Sequence, residues 1–442
     1  LLSILGISMV TIFTYLIMSK RMSPIVALTL IPIIFAIIGG FTSEIGPMML
    51  EGIKLVAPSA ALLLFAILFF GVMIDAGLFD PLISKILKIV QRDPVKIAIG
   101  TAVLSLLVAL DGDGTTTYMI VVSAMLPLYK RIGMNPLVMA TISMLSLSVM
   151  SGMTPWGGPA TRAIAVLGLD ASEFFVPLVP TMIGGAFWVI FTSYILGKRE
   201  RKRMGSIEYT SSFDSLAKSE TAVAIEDNII DEPMDNKRPK LLWINFLLVL
   251  LIMTTLIMDL LPAPVLFLIG FILALLINYP DLEKQKERIL AHSGNALIVV
   301  ILVFAAGVFA GILSGTKMVD AVATTLVSII PESLGSFFPT IVAITSMPFT
   351  FVLSNDAYYF GVLPILAEAA SSYGIEPIEI ARASILGQPV HLMSPLVAST
   401  FLLVSMIGKD IGDHQRFAFK WAILTSLVIT GLALVTGAIS FM

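Results

Sequence analysis

Apolar residues along this chain gather into runs long enough to cross a bilayer as helix, and polar residues gather between them. The runs lie near 2–18, 24–40, 56–78, 138–167 and 174–197, then after a polar break near 241–259, 263–279, 294–315, 378–407 and 417–440. Stretches of about 17–25 apolar residues fit spanning helices, whereas a membrane barrel would show alternating segments of roughly ten. Between the third and fourth run of each set lies another apolar region, 97–129 and 335–367, interrupted by DGDGTTT at 111–117 and SNDAYYF at 354–360. The first run has no preceding basic stretch or small-residue cleavage pattern and reads as a retained span.

Composition agrees with the pattern. Of 442 residues 57% are hydrophobic and only 13% charged, which places the chain among all-α polytopic membrane proteins. The lack of cysteine excludes disulfides, thiolate metal sites and cysteine nucleophiles. No P-loop, zinc-protease motif or nucleic-acid-binding constellation is present. The cluster KRERKR at 198–203 reads as a topology signal rather than an RNA site, so the partner it implies is the lipid bilayer and not nucleic acid.

Orientation turns on whether 97–129 and 335–367 cross the membrane or enter and return. If they return, Lys20, Arg21, Lys85, Lys88, Arg92, Lys96, Lys130, Arg131, the 198–203 cluster, Lys284, Lys286, Arg288, Lys409, Arg416 and Lys420 all face one side. A full crossing would put Lys96 and Lys130 on opposite sides. The excess of basic residues on the cytoplasmic face therefore predicts about ten crossings, two re-entrant hairpins and both termini outside. The polar stretch 198–240 then reads as a flexible cytoplasmic linker.

An internal repeat supports the division. GMNPLVMATIS at 133–143 matches GIEPIEIARAS at 374–384 at Gly, Pro, Ala and Ser, and SPIV at 23–26 echoes APVL at 263–266. The predicted organisation is a first repeat, 1–197, and a second, 241–442. Each carries an odd number of crossings, so the two halves are inverted relative to each other, as in secondary transporters.

The polar interruptions are the candidate site. Unwound backbone is costly in lipid but tolerable around a water-filled cavity, where it offers N–H and C=O groups to ions. The two hairpin tips are expected to approach each other near the membrane centre. SGMTPWGGPAT at 151–161 and GQPVHLMSP at 387–395 carry prolines and glycines that predict a broken helix after each hairpin. Substrate contact falls to Gly112, Gly114, Thr115, Thr116, Thr154, Arg162, Ser354, Asn355, Tyr358, Gln388 and Ser394, for their backbone, hydroxyl, amide and guanidinium groups. Proton coupling falls to Asp111, Asp113, Asp356 and His391, because an acid within a membrane needs a partner, water or a proton, and histidine titrates near neutrality. Asp113 and Asp356 are also the candidate metal ligands. Asp75, in GVMIDAG, is a further intramembrane acid, or else one near the inner surface beside Asp80.

These residues carry a resemblance. KRMSPIVALTLIPIIFAIIGG at 20–40, ALDGDGTTTYMIVVSAMLPLYKRIGM at 109–134 and SGMTPWGGPATR at 151–162 resemble the bacterial CitMHS family of metal–citrate/proton symporters, within the larger ion-transporter superfamily. The resemblance implies a secondary active transporter, not an enzyme, in the bacterial cytoplasmic membrane. It implies proton-coupled uptake of citrate complexed with Mg²⁺ or Ca²⁺, with no permanent cofactor. An elevator-type motion and a homodimer are carried over from dicarboxylate relatives. Those relatives hold Ser-Asn-Thr at both hairpin tips. Here the first tip departs strongly and Asp356 stands where the second threonine would, which fits a metal or proton better than sodium. The alternative is uptake or exchange of a free di- or tricarboxylate with protons or sodium.

Overall fold

Lipid offers no hydrogen-bond partner to a bare peptide group, and the chain answers with helix almost throughout. The computed structural model describes residues 2–90, 93–204, 236–328 and 332–440, and no strand occurs among them. Helices α1 (Leu2–Met18), α2 (Pro24–Ile38) and the long α3 (Ile45–Asp75) lead to the short α4 (Asp80–Val90). A hairpin follows, α5 (Pro94–Val108) and α6 (Gly114–Ile132), then an interrupted helix, α7 (Pro136–Met153) and α8 (Gly158–Leu167), and finally α9 (Ala171–Phe175) and α10 (Val179–Met204).

The same order recurs in the second half. Helices α11 (Leu242–Ile257), α12 (Ala263–Asn278) and α13 (Leu282–Gly315) lead to the short α14 (Met318–Val327). The second hairpin is α15 (Phe338–Val352), a π-helical turn at Ala357–Val362 and α16 (Leu363–Ser371). Its interrupted helix falls into α17 (Pro377–Ser384), α18 (Gln388–His391) and α19 (Ala398–Met406), before α20 (Ile411–Val435).

Among the described residues, eight helical stretches are long and apolar enough to cross a membrane. Two of them, Pro94–Asp111 and Leu334–Val352, are the first arms of the hairpins. The other six, the shorter apolar α1, α2 and α12, and the interrupted 377–406 stretch occupy the positions of the predicted spans. The repeat motif has a local cause. Gly133 and Gly374 both take the left-handed conformation, φ 70° and 76°, in the turn after a helix, and both are followed by an N-cap residue and a proline at the first helical position. Proline there lacks only an N–H that would be unpaired anyway.

The most extensive helix-to-helix packing is between α3 and α13, equivalent helices of the two halves. A Cβ added at Gly52 would lie 1.9 Å from the carbonyl oxygen of Gly307, and one at Gly311 would lie 2.3 Å from that of Met48. Only glycine lets the backbones approach so closely.

Several boundaries differ from the sequence pattern. The third span starts at Ile45 rather than near 56, because Glu51 and Lys54 ride within the helix. The helix α10 runs through the cluster at 198–203 to Met204, held by Arg201 Nη2 on Asp93 at 2.6 Å and by Glu200, which accepts the Asn135 N–H at 3.0 Å. Residues 236–240 pack against the bundle, with the Arg238 N–H donating to Ala76 O and Lys237 Nζ 2.9 Å from Asp80. The rest of the predicted linker, 205–235, lies outside the described residues. Lys85 and Lys88 sit on the exposed side of α4, which buries Ile83, Ile86 and Val90 against the bundle.

Candidate functional site

The first hairpin turns at DGDGTTT as the sequence pattern predicts, and its acids hold the turn. Asp111 is buried, and its Oδ1 accepts the Asp113 N–H at 2.9 Å and faces Thr117 Oγ1 at 3.5 Å. Asp113 is the exposed N-cap of α6, with Oδ2 accepting the Thr116 N–H at 2.7 Å. A carboxylate suits a helix start because the first N–H groups there lack partners. Thr117 Oγ1 donates back to Asp113 O at 2.8 Å, while Thr115 is exposed. Gly112 takes φ 86°, and a Cβ on it would also meet Trp156.

Two residues of the first interrupted helix grip this turn. Trp156 Nε1 donates to Leu110 O at 2.8 Å, and Ser151 Oγ donates to Gly112 O at 2.8 Å. The interruption spans Thr154 to Gly157, and the next helix is set so close that a Cβ on Gly157 would fall 1.6 Å from Ser151 O. Thr154 is fully buried there. Gly114 lies near Ser399 of the second half, where α6 packs against α19.

The second hairpin turns at Leu353–Asp356 and meets both interrupted helices. Ser354 Oγ accepts the Ala357 N–H at 3.2 Å. Asn355 Oδ1 accepts from Gln388 Nε2 at 3.3 Å, and Gln388 Nε2 also donates to Tyr359 Oη at 2.9 Å. Asp356 reaches across the two halves: its Oδ1 accepts from Arg162 Nε at 2.7 Å. Arg162 Nη1 donates to Gly158 O at 2.8 Å, which fixes the guanidinium on its own helix. The side chains of Arg162 and Asp356 retain 22% and 16% of their exposure, so the pair is neither a surface bridge nor sealed from water.

His391 and Ser394 satisfy carbonyls at the end of α15. His391 Nδ1 lies 2.6 Å from Thr350 O and is therefore the protonated nitrogen, and Ser394 Oγ donates to Phe351 O at 2.6 Å. The hairpin tips, expected to approach each other directly, share no hydrogen bond among the described residues. They communicate through the interrupted helices, where α8 packs on the π-helical turn and α7 on α18.

Asp75 is not part of this assembly. It is buried at the end of α3 and bonds Arg288 Nη1 at 3.1 Å and His292 Nε2 at 2.8 Å, tying α3 to α13. Ser151, Trp156 and Tyr359 were not singled out by sequence reasoning. The first two stand within the quoted SGMTPWGGPAT, so the motif was visible but not each role in it. Tyr359 stands four residues after Asn355, one helical turn on, and both side chains meet Gln388, whereas the sequence reading favours the neighbouring Tyr358. Tyr358 is fully buried, its hydroxyl without a partner among the described residues. No group of three or more His, Cys, Asp or Glu side chains among the described residues is placed to hold a metal.

Known proteins share this plan. The chain is 67% identical to an uncharacterized transporter, YraO, 58% to a citrate transporter and 52% to a Mg(2+)/citrate complex secondary transporter, all of Bacillus subtilis (strain 168). Each match covers 100% of this chain and 99–100% of the relative. Among solved structures, the MtrF antimetabolite efflux pump of Neisseria gonorrhoeae superposes with TM-score 0.62 at 13% identity, over 90% of this chain and 84% of that one. The YdaH transporter of Alcanivorax borkumensis, described as having an unusual topology, gives TM-score 0.58 at 16% identity over 90% and 88%. These two likenesses concern the fold alone. The citrate transporter model CitMHS matches residues 13–387, and with the buried hairpins, interrupted helices and full-length relatives this places the chain in the CitMHS family of citrate transporters, membrane-embedded secondary carriers and not enzymes.

Proposed function

We propose that this chain takes up citrate as a complex with a divalent metal, Mg²⁺ or Ca²⁺, together with protons, by alternating access. The observation that carries the reading is the Arg162–Asp356 pair, which joins the first interrupted helix to the second hairpin tip in a half-buried setting among helix breaks. A cation and an anion held side by side where two halves meet suit a cargo that itself contains both. The 52%-identical relative named as a Mg(2+)/citrate complex secondary transporter supports the same cargo. Citrate at charge −3 with one divalent cation carries −1, which is cheaper to desolvate than the free trianion.

In this reading Arg162 receives a carboxylate, and Gln388, Asn355 and Ser354 hydrogen-bond the remaining oxygens. Gly112, Gly114, Thr115, Thr116, Thr154, Tyr358 and Ser394 form the surrounding wall. Asp356 meets the metal, and Asp111, Asp113, Asp356 and His391 are the groups through which protons pass. Two inverted halves, 1–197 and 241–442, would let hairpins and interrupted helices shift as a unit against the α3–α13 crossing, an elevator-type motion. The setting proposed is the bacterial cytoplasmic membrane, with both termini outside, the central linker inside and a homodimer as the assembly. Purified protein in liposomes should accumulate labelled citrate only with an inward proton gradient and a divalent metal. Undiminished accumulation after chelation of all divalent ions would refute the metal complex and favour a free-carboxylate carrier.

A further inference from the structure

Arg162 and Asp356 satisfy one another at 2.7 Å, each bringing one unit charge, and each keeps unused capacity. The guanidinium has five N–H donors and places Nε on Asp356 and Nη1 on Gly158 O. Asp356 engages through Oδ1, leaving Oδ2 for a second partner.

We infer that cargo enters by exchange of ion pairs: the metal of a metal–carboxylate complex displaces Arg162 from the Asp356 carboxylate, while a cargo carboxylate displaces Asp356 from Arg162. This rests on the proposed metal–citrate cargo and deepens it, because it states why neither component is accepted alone. Free citrate would take Arg162 and leave Asp356 as an uncompensated carboxylate beside three further negative charges. A bare dication would take Asp356 and leave the guanidinium unpaired. Removing one partner of a secluded pair is costly, because the survivor loses its neighbour without regaining full hydration. The complex replaces one cation–anion pair by another, so both survivors are re-paired in the same event.

The geometry makes the exchange local. Arg162 is anchored by Gly158 O on α8, and Asp356 opens the second arm of the hairpin, so separating the two carboxylate-to-guanidinium partners means a small parting of the second tip from the first interrupted helix. Gln388 spans Asn355 and Tyr359 at the same tip, which ties that parting to the second interrupted helix. Asp356 contributes a single carboxylate. The other ligands of the metal are therefore those citrate and water bring, as suits an ion that tolerates an oxygen shell of mixed origin.

The test uses full-length protein in detergent, titrated calorimetrically with citrate in Mg²⁺ or in EDTA, and with Mn²⁺ alone followed by electron paramagnetic resonance. Wild type should require metal and citrate together. Asp356→Asn frees Arg162, so citrate in EDTA should bind and the preference for metal should fall on the order of 100-fold. Arg162→Gln frees Asp356, so Mn²⁺ should bind without citrate. If wild type binds citrate equally in EDTA, the metal–citrate reading itself is lost. If wild type needs both ligands and both variants need them to the same degree, that reading survives and the exchange is overturned. Should either single variant fail to fold, Arg162→Gln with Asp356→Asn leaves no charge stranded. The double variant should lose the complex without gaining either component, and wild-type affinity for the complex would overturn the exchange.

Discussion

Replacing Gly52 by alanine tests whether the α3–α13 crossing is the packed axis of the molecule. The new methyl would lie 1.9 Å from Gly307 O, 2.8 Å from Gly307 C and 3.0 Å from Gly311 Cα, all backbone atoms of one helix. Real Cβ atoms essentially never come within 3.0 Å of such neighbours, so the crossing has to open by more than an ångström along helices of 31 and 34 residues. No flexible side-chain end is there to yield. Overpacking of a tight core costs about 1–3 kcal/mol, and a rigid backbone neighbour places Gly52→Ala near about 3 kcal/mol. Gly294 is the control, lying in the partner helix α13 with nothing within 4 Å of its added Cβ. Gly294→Ala should be neutral or stabilise by up to about 1 kcal/mol, since alanine is the better helix former. Unfolding of both variants in mixed detergent micelles, followed by helical circular dichroism, reads the difference. Equal stability of the two variants would show that the close approach does not matter energetically.

Three further outcomes follow from particular contacts. Asn245 and Asn278 exchange reciprocal amide hydrogen bonds of 2.8 and 2.9 Å in a fully buried site between α11 and α12, so Asn278→Leu should cost about 1–3 kcal/mol by stranding the other amide, and adding Asn245→Leu should recover most of it in the same unfolding assay. Burial pushes the Asp93 carboxyl up, but hydrogen bonds from Arg201 and the Val95 N–H outweigh it and hold the group below its ordinary value. The stabilisation from Asp93 is therefore present above the ordinary value of 3.8 and fades as pH falls through the lowered one, so wild type should lose more stability than Asp93→Asn between pH 5 and pH 3. Finally, single cysteines at Lys96 and Lys130 in this cysteine-free chain should both be shielded from an impermeant external thiol reagent, and labelling of one from outside and the other from inside would refute re-entry of the first hairpin.

The sequence by itself determined the class of molecule, the order of its spans and hairpins and the places where the interrupted helices break. Apolar runs separated by polar breaks leave lipid-spanning helix as the solution, and the clustered prolines and glycines at 151–161 and 387–395 disfavour continuous helix there, whereas single prolines such as Pro32, Pro58, Pro127 and Pro348 are carried inside helices. The matching GMNP and GIEP stretches encode the same helix start, a left-handed glycine and a first-turn proline, because those rules act over a few residues. Tertiary structure alone decided which polar groups meet. Arg162 and Asp356 stand 194 residues apart, and no local pattern joins them. Tyr359 and Asn355, one helical turn apart, both reach Gln388 because the second interrupted helix packs against the hairpin, and Asp75 is taken by Arg288 and His292 because α13 passes beside it. Backbone preference is local and can be read along the chain, whereas the pairing of buried charges depends on which helices close packing brings side by side.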